Sequence, residues 1–284
     1  MVSIMYKKEN VYIYSNPLPV SLDLKKVLTE KLQKAGFNVI PELQKDTSLI
    51  FCIGGDGTLL HLVHELNFPT APIAGINTGH LGFFQDTSPD RIDEMIDNYK
   101  QGNFYIQNLR TLKATIQHEG KISKWYGMNE MIVKGNVGCT VHLSISIGQN
   151  FIEHFSGDGI LLSTPAGSTA YNYSLGGGLV DPSLEVLQVT PIAPMNTNAY
   201  RSFTSSLLLP ADKYLFIRPE RKDAHIRMQA DGFTREYFHV DTIMIDYSSM
   251  TLHMLKSRDF DFWKKVKEKF LGNDNATYSE NEER

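Results

Sequence analysis

Residues 49–66 read LIFCIGGDGTLLHLVHEL and decide the fold of the N-terminal part of the chain. An apolar strand from Leu49 to Ile53 runs into the glycine-rich turn GGDGT at residues 54–58, and a helical pattern follows. Such a turn exposes backbone N–H groups at the start of a helix, where phosphate groups bind favourably. The segment lacks the lysine of a P-loop and the glycine spacing of a dinucleotide-binding loop, so neither common phosphate loop explains it.

Asp56 is the unusual residue of this turn. A carboxylate among phosphate-binding glycines repels a phosphate unless it has a chemical task, such as accepting the proton of a hydroxyl that attacks phosphorus. The alternative is a tight turn capped by an aspartate, but three glycines around one acid are costly for a turn alone. The segment therefore predicts a kinase with Asp56 as its general base, and Gly57 lets the backbone approach the phosphates.

The composition is typical of a globular protein and excludes several classes. A chain of 284 residues with 42% hydrophobic and 21% charged residues is too apolar for disorder and long enough for two cores. The formal net charge of −4 argues against binding to a nucleic-acid backbone. The sequence shows neither a signal-like N-terminus nor an apolar run long enough to span a bilayer, so we expect no membrane partner. Only two cysteines occur, Cys52 and Cys139, and they show no zinc spacing. We expect no disulfide between them, which fits a reducing, cytoplasmic location.

Strands and helices alternate over residues 11–102. Strands are predicted at 11–14, 38–40, 49–53 and 71–76; helices are predicted to start at Ser21 with Asp23, to follow the glycine turn as far as Leu66, and to run from Ser88 and Pro89 to Gly102. This alternation predicts a doubly wound, Rossmann-like α/β domain over residues 1–108. Ligands of such domains bind beyond the carboxyl ends of the strands, which is where GGDGT lies.

From about residue 109 the pattern changes to short alternating runs. Between residues 141 and 147, four aliphatic residues alternate with polar ones, as in a half-buried antiparallel strand. Similar runs recur at 112–117, 159–163, 205–209, 214–217, 225–229, 242–247 and 251–255. The simplest interpretation is an α/β plus all-β protein, with a C-terminal antiparallel β domain over residues 109–256.

The last segment, residues 257–284, contains one further helical pattern. Phe262, Val266 and Phe270 share one side of it and lysines occupy the other. We expect this helix to pack back on the first domain, followed by a frayed polar tail from Asn273 to Arg284.

Four other clusters suggest binding chemistry. They are residues 77–84 (NTGHLGFF), Asn129–Glu130, residues 157–159 (GDG) and residues 164–178 (TPAGSTAYNYSLGGG). An amide beside a carboxylate can bracket the cis-diol of a ribose, and Asp158 between glycines can accept from an amide or an exocyclic amine. The ring of Tyr171 can cover a sugar or a base.

Each of these clusters also has an ordinary interpretation. Asn129–Glu130 alone is typical of a turn with a solvated acid, Asp158 of a β-turn, and the run from Thr164 of a glycine-rich scaffold turn. His80 is a lone histidine in a tight turn, where it more often satisfies backbone groups than shuttles protons. We therefore assign it no catalytic role.

Taken together and in this order, the five motifs resemble those of the NAD kinase family over nearly the whole chain, particularly the shorter enzymes of Gram-positive bacteria. The resemblance implies transfer of the γ-phosphoryl group of ATP or polyphosphate to the 2′-hydroxyl of the adenosine ribose of NAD, with Asp56 as base. Carried over residue by residue, it implies binding positions at Asp56, Gly57, Phe83, Asn129, Glu130, Ser156, Asp158, Ala166, Thr169, Ala170, Tyr171, Asn172, Tyr173, Ser174, Ala193 and Asp231.

Several of these positions carry a specific expectation. The resemblance places Phe83 near adenine, Ala193 at a backbone contact to the nucleotide, and Asp231 on the phosphate-donor side. Two positions depart from the family pattern. Ser156 stands where many relatives have a basic residue, and Ala166 stands where a serine is common and so offers one hydrogen bond fewer.

The sequence offers no cluster of His, Cys, Asp or Glu with metal-ligand spacing, so we expect no protein metal site. Mg²⁺ is expected to arrive on the phosphates of ATP and to keep several of its waters. The family usually forms homotetramers or homodimers, which implies a homo-oligomer here.

Three rival functions remain at this stage. Lipid kinases of the diacylglycerol or sphingosine type, and sugar kinases resembling phosphofructokinase, share a GGDGT-like turn but lack the Asn–Glu and Thr–Ala–Tyr–Asn sequences found here. A dinucleotide sensor that binds NAD without phosphorylating it is the non-enzymatic alternative, and it would not need Asp56.

Overall fold

The computed structural model describes residues 9–79, 82–196, 201–221 and 223–272. The chain forms two compact units, one comprising residues 1–107 with 253–284 and the other residues 108–252. The sequence placed the corresponding boundaries at 108 and 256.

The first unit is built on a parallel sheet. Its strands are β1 (Asn10–Ser15), β2 (Asn38–Ile40), β3 (Thr47–Gly54) and β4 (Ile73–Asn77), and its first three helices are α1 (Pro19–Lys34), α2 (Asp56–Glu65) and α3 (Ile92–Gln101). The strands lie in the order β2-β1-β3-β4 and are all parallel. The chain changes direction across the sheet between β1 and β3, and folds of this type bind ligands beyond the carboxyl ends of such strands.

The sequence explains the core of this unit. β3 is buried on both faces, as a central parallel strand must be, and its Leu49, Phe51 and Ile53 pack in one cluster with Leu28 and Leu32 of α1. α3 begins after a 3₁₀ turn at Pro89–Arg91 and ends at Gly102, whose φ of 69° gives the left-handed cap expected from the sequence.

The predicted start of α1 was wrong. The helix begins at Pro19, with Leu18 at the N-cap and no side-chain cap. Ser21 lies inside the helix, is fully buried, and shares a hydrogen bond of 3.0 Å with the hydroxyl of Thr78. Proline suits the first helical position because its φ already matches the helix and it has no N–H that needs a capping acceptor. The helix therefore starts at Pro19, two residues before Ser21.

The second unit is almost entirely β-structure. Its strands are β5 (Phe104–His118), β6 (Lys121–Gly127), β7 (Glu130–Lys134), β8 (Val141–Ile147), β9 (Asn150–Gly157), β10 (Gly159–Ser163), β11 (Val186–Ile192), β12 (Leu207–Pro210), β13 (Leu215–Pro219), β14 (Ile226–Ala230), β15 (Phe233–Tyr237) and β16 (Val240–Ser257). A 3₁₀ turn at Ala166–Thr169 and the short helix α4 (Tyr171–Ser174) follow β10. The chain passes from one unit to the other within β5 and again within β16.

Two groups of strands form this unit. One is a six-stranded sheet in the order β12-β11-β10-β7-β14-β15, antiparallel throughout. The other consists of β6, β5, β16, β13, β8 and β9, paired in that order. Met131 and Val133 of the first group share a single buried cluster with Leu143 and Ile145 of the second. Apolar side chains of both groups thus form one core.

Two features of the strands differ from the prediction. The runs 242–247 and 251–255 belong to one continuous strand, β16. Between the two runs, the Ser248 hydroxyl accepts the N–H of Met250 and the Thr111 hydroxyl donates to the Met250 carbonyl. Five strands were not among the predicted runs: β6, β7, β9, β11 and β15. β15 shows why, since three of its five residues are exposed polar ones and carry no apolar alternation.

The chain returns to the first unit at the end of β16. Met254 pairs in parallel with Ile73 of β4, and helix α5 (Phe262–Phe270) follows. The rings of Phe262 and Phe270 lie 6.0 and 5.8 Å from that of Phe83. The predicted tail at Asn273–Arg284 lies outside the described residues.

The predicted fold class is confirmed: an α/β unit with a parallel sheet and an antiparallel β unit. Within the described part of the chain, no helix is long and apolar enough to cross a membrane.

Candidate functional site

Asp56 lies at the first position of α2, directly beyond the carboxyl end of β3. The turn depends on Gly54, which has a φ of 152° and sits where a Cβ would lie 2.2 Å from the Thr58 hydroxyl oxygen. Only glycine fits this position, so the strand can turn sharply into the helix. Asp56 then stands at the positive end of the helix dipole, as the sequence predicted.

Backbone N–H groups fix the Asp56 carboxylate. Its Oδ2 accepts from Phe83 at 2.8 Å, and its Oδ1 accepts from Phe84 at 3.0 Å and Gln85 at 3.4 Å. The ammonium of Lys269 on α5 lies 3.6 Å from Oδ2, and the aspartate side chain is 24% exposed. The carboxylate is therefore held in one orientation, beside a cation, and still reaches solvent.

Lys256 acts on the same peptide groups from their other side. Its ammonium donates to the carbonyls of Phe83 at 3.4 Å and Phe84 at 3.2 Å, and it pairs with Asp86 at 2.9 Å. The peptide groups that carry these carbonyls also carry the N–H groups of Phe84 and Gln85. A cation at the carbonyl end and an anion at the N–H end polarise each peptide in the same sense. Lys256, which is fully buried, thus strengthens the donors that hold Asp56.

Phe83 contributes mainly through its backbone. Its ring is buried between Phe262 and Phe270, with the Lys269 ammonium 4.6 Å from the ring centre. The expectation that this ring packs near adenine stays a prediction. Gly57 lies in the first turn of α2, and a Cβ there would meet nothing within 4 Å. His80 lies outside the described residues.

A second clamped aspartate occurs in the β unit. Asp231 and Gly232 have φ values of 52° and 87° and form the two-residue turn between β14 and β15, as in a type I′ hairpin. The Asp231 carboxylate accepts from the N–H groups of Met128, Asn129 and Glu130 at 2.6, 2.7 and 3.3 Å. Asp231 is only 6% exposed. It therefore fixes the backbone of the Asn129–Glu130 cluster.

Asn129 and Glu130 present buried acceptors. They are 4% and 6% exposed, and Asn129 Oδ1 and Glu130 Oε2 have no hydrogen-bond partner among the residues that the structure describes. Burial, and secondly the charge of Asp231, raise the pKa of Glu130 to about 8. Leaving buried oxygens unpaired costs about 1–3 kcal/mol each, so two adjacent ones indicate a place where a ligand donates.

The turn after β10 packs directly on this cluster. Thr164 donates its N–H to the Asn129 carbonyl at 2.9 Å and its hydroxyl to the Met128 carbonyl at 2.9 Å. Gly167 lies so close that a Cβ would be 2.1 Å from the Asn129 carbonyl oxygen. The sequence from Thr164 thus forms a binding-site wall against Asn129, and Ala166, 7% exposed, lies within it.

These groups share one face of the six-stranded sheet. Side chains alternate along β7, so Glu130, Ile132 and Lys134 lie opposite the core residues Met131 and Val133. Register pairs Glu130 with Ser163, and Ser163 with Gln188, at one end of this face. This face is polar at its ends. The 3₁₀ turn and α4, which follow β10, lie against it.

The residues of α4 divide by exposure. Asn172 is fully buried, its amide donating to Gln188 at 2.8 Å and accepting from Thr190 at 2.6 Å, so its side chain anchors the helix to the sheet. The other predicted binding residues here are exposed or half-buried: Thr169, Ala170, Tyr171, Tyr173 and Ser174. The Lys134 ammonium lies 5.3 Å from the Tyr171 ring centre.

Three predicted residues lie at the opposite end of β10. Asp158 is exposed and precedes Gly159, which pairs with Lys134 and with Ile192. Ala193 follows Ile192 with a φ of 45°, and its carbonyl would lie 2.8 Å from a Cβ on Gly157. Ser156 is buried beside Met195. The two ends of β10 are roughly 13 Å apart, so the predicted residues of this unit lie along one extended face rather than at one point.

Sequence reasoning missed the two lysines around Asp56. Lys256 had a signal: Leu252, Met254 and Lys256 alternate on one side of β16 and are all buried, so a lysine stands where an apolar residue is expected. Lys269 is one of several lysines on an amphipathic helix and carried no distinct signal.

The described residues contain no group of three or more His, Cys, Asp or Glu side chains able to hold a metal ion. The donor set around Asp56 consists of N–H groups and an ammonium, which do not ligate metals. We therefore derive no step through a protein-bound metal.

A family model described as the ATP-NAD kinase N-terminal domain matches residues 6–104, and one described as the ATP-NAD kinase C-terminal domain matches residues 128–256. The chain is 37% identical over 266 residues to the NAD kinase of Finegoldia magna, covering 92% of this chain and 97% of that protein. The chain belongs to the NAD kinase family. The resemblance stated from the motifs is thus confirmed, and the chain is an enzyme of this family.

Other members of the NAD kinase family agree with this assignment. The NAD kinase of Staphylococcus aureus strain Newman is 32% identical over 237 residues, which is 82% of this chain and 88% of that one. The fold matches yeast NADH kinase complexed with NADH, with a TM-score of 0.82, 21% identity and coverage of 96% and 90%. It also matches an NAD kinase from Archaeoglobus fulgidus in complex with ATP, with a TM-score of 0.72, 20% identity and coverage of 93% and 98%.

Proposed function

We propose that this enzyme phosphorylates NAD, transferring the γ-phosphoryl group of ATP or of polyphosphate to the 2′-hydroxyl of the adenosine ribose. Family membership supports the acceptor, since the similar proteins of Finegoldia magna and Staphylococcus aureus are named NAD kinases. The Archaeoglobus fulgidus enzyme, named as an ATP complex, supports ATP as donor.

The observation that carries the proposal is the pair of unpartnered acceptors on Asn129 and Glu130. A ribose presents two adjacent hydroxyl groups, and each can donate to one of these buried oxygens. Glu130, whose pKa is raised to about 8, can also donate a hydrogen bond when it is protonated near neutral pH. The Asp231 clamp keeps both residues in place before the ligand arrives.

Asp56 accepts the hydroxyl proton in the proposed reaction. The 2′-oxygen forms a bond to the γ-phosphorus, the bond from that phosphorus to the bridging oxygen breaks, and ADP or the shortened polyphosphate leaves with the electron pair. The proton of the hydroxyl passes to the Asp56 carboxylate. The fixed N–H groups of Phe83, Phe84 and Gln85 orient this base, which reduces the entropic cost of alignment.

The remaining predicted residues take binding roles in this proposal. Thr169, Ala170, Tyr171, Tyr173 and Ser174 supply the exposed wall for the adenosine part, and the Tyr171 ring stacks on the sugar or base. Asp158, Ser156 and Ala193 act at the far end of the face. Phe83 near adenine, Gly57 near the phosphates and a donor-side role for Asp231 complete the family pattern. Asn172 and Ala166 shape the wall.

Mg²⁺ enters as part of the substrate, bound to the phosphates of ATP. We also propose that the enzyme works in the cytoplasm as a homotetramer or homodimer, as its family does. Light scattering of the purified protein tests the oligomeric state.

An acceptor and donor assay tests the function. The protein is incubated with NAD, NADH, a diacylglycerol or fructose 6-phosphate, each with MgATP or with polyphosphate and Mg²⁺, and the phosphorylated product is identified by mass spectrometry. We expect NADP from NAD. A phosphorylated lipid or sugar instead would support the rival kinases, and binding of NAD without product from any donor would support the sensor.

A further inference from the structure

The first unit contains a cavity of about 210 Å³ whose lining comes from β4, α3, the end of β16 and α5. It is separate from the residues assigned to the proposed reaction. Part of its wall is apolar or aromatic, including Met95, Tyr99, Phe104, Leu255 and Phe260. A cavity of this size and lining suits a small organic molecule with an apolar body.

Lys265 is a buried lysine in the wall of this cavity. The side chain lines the cavity and is 6% exposed, yet no carboxylate lies within ion-pair distance of it among the residues that the structure describes. Its neighbours are the Phe260 ring, with the ammonium 5.7 Å from the ring centre, and the more distant charges of Asp86, Lys256, Asp56 and Glu268. A buried ammonium normally has a paired anion, because an isolated one is costly to desolvate. Burial accordingly lowers the pKa of Lys265 to about 8.

Most carboxylates of the cavity wall already have partners. Asp86 pairs with Lys256, Glu94 with Arg91, and Asp259 accepts from the Ser257 hydroxyl. Asp261 accepts the backbone N–H of Lys264 as the N-cap of α5. Glu268 is the fifth carboxylate of the wall, and it lies beyond ion-pair distance of the Lys265 ammonium, as the other four do. An anion delivered by a ligand would meet an unpaired cation.

We propose that this cavity is a binding site for a small organic anion, whose carboxylate pairs with Lys265 and whose apolar body lies against the aromatic and aliphatic wall. Ligand binding there does not require the proposed phosphoryl transfer to take place. Its ligand class is a compact monocarboxylate with a ring or short aliphatic body, because a longer chain would exceed the cavity volume.

The test compares three probes that share one ring: benzoate, benzyl alcohol and benzylamine. Calorimetric titration of the full-length protein is expected to show saturable one-to-one binding of benzoate, and binding at least about tenfold weaker for the other two. No saturation with benzoate up to about 10 mM, or tighter binding of benzylamine, would overturn the proposal.

Paired variants locate the binding. Lys265→Gln is expected to weaken benzoate binding about tenfold or more. Lys267→Gln removes the same charge from an exposed lysine of the same helix that does not line the cavity, and we expect it to change the affinity by less than about twofold. Equal effects of the two substitutions would contradict a specific pairing.

A measurement on the unsubstituted protein keeps the test independent of folding. Lysine labelling with an amine-reactive reagent, read by peptide mass spectrometry, is expected to show that benzoate protects Lys265 and leaves the labelling of Lys267 unchanged. Protection of both or neither would overturn the site.

Discussion

Asp56 and Asp231 are held by the same kind of backbone contact in two different units. Each carboxylate accepts three consecutive backbone N–H groups, from residues 83–85 and from residues 128–130. They differ in exposure: Asp56 is half-buried, whereas Asp231 is buried. A carboxylate held by three N–H groups can therefore act either as a reagent or as a structural support, and access to solvent distinguishes the two roles.

The largest expected effect concerns the more exposed member of the pair. Asp56→Asn should lower kcat for NADP formation by about 10³-fold or more, since the amide cannot accept the ribose proton. Stability should fall by only about 1–2 kcal/mol, from one lost acceptor for the Phe83 N–H. NAD binding, measured by calorimetry, should persist. Retained turnover would remove Asp56 from its role.

Asp231→Asn should show the opposite pattern. Its buried carboxylate holds the segment that presents Asn129 and Glu130, so we expect a loss of about 3 kcal/mol in the free energy of unfolding and a KM for NAD raised about tenfold. Urea denaturation and initial-rate kinetics measure the two effects. If kcat collapsed while KM and stability stayed constant, Asp231 would be a reagent and the comparison would fail.

The two glycines that touch these clamps allow a finer test. A Cβ on Gly82 would lie 2.3 Å from Asp56 Oδ1, and a Cβ on Gly167 would lie 2.1 Å from the Asn129 carbonyl oxygen. We expect Gly82→Ala to reduce kcat and Gly167→Ala to raise the KM for NAD, each by roughly tenfold and with about 1–3 kcal/mol of destabilisation. Gly178→Ala is the control, because its Cβ would come no closer than 3.8 Å to a neighbour.

Glu130 should make stability depend on pH. The pKa of Glu130 is about 8 in the folded protein and 4.5 for a free glutamate, which stands for the unfolded state. Between these two pH values the folded state retains a proton that the unfolded state releases. Stability should therefore fall as pH rises, by about 2 kcal/mol between about pH 6 and pH 8. Glu130→Gln should remove this component, as denaturation of both proteins across the range would show. Equal slopes would mean that Glu130 is charged throughout.

The smallest effect concerns polarisation of the Asp56 clamp. Substituting Lys256→Met together with Asp86→Asn removes both members of the buried ion pair and so leaves no unpaired charge. We expect kcat to fall about tenfold with little change in the KM for NAD, because only the peptide donors to Asp56 weaken. Asp86→Asn alone, which keeps the ammonium, should lower kcat less. An unchanged kcat in the double variant would show that the clamp works without Lys256.

The difference between the two clamps also explains what the sequence could predict. The strand, the glycines and the helix around Asp56 are contiguous in the chain, so the sequence of this one segment was enough to predict the turn. The hairpin at Asp231 was not predicted: Asp–Gly favours a type I′ turn, but the strand after it, β15, carries no apolar alternation that would mark it. The Asp231 carboxylate also reaches residues more than a hundred positions earlier in the chain, and no local pattern encodes that contact.

Non-local contacts account for the other differences. Lys256 meets the carbonyls of Phe83 and Phe84 across 173 and 172 positions, so its role follows only from the fold. Asn172 was predicted as a binding residue, but its amide atoms form hydrogen bonds with Gln188 and Thr190 of β11, a strand that was not predicted. Propensity and periodicity describe segments; pairing between distant segments decides which polar atoms are left for a ligand.

The Asp56 clamp has a consequence for how this enzyme tolerates change. Its three donors are main-chain groups, so no side-chain replacement at Phe83, Phe84 or Gln85 deletes a donor, unless that replacement is proline, which has no N–H. Mutational drift along this segment can therefore alter hydrophobic lining and leave the reactive carboxylate aligned. An inhibitor anchored on those side chains would face easy escape, whereas one anchored on the main chain would not.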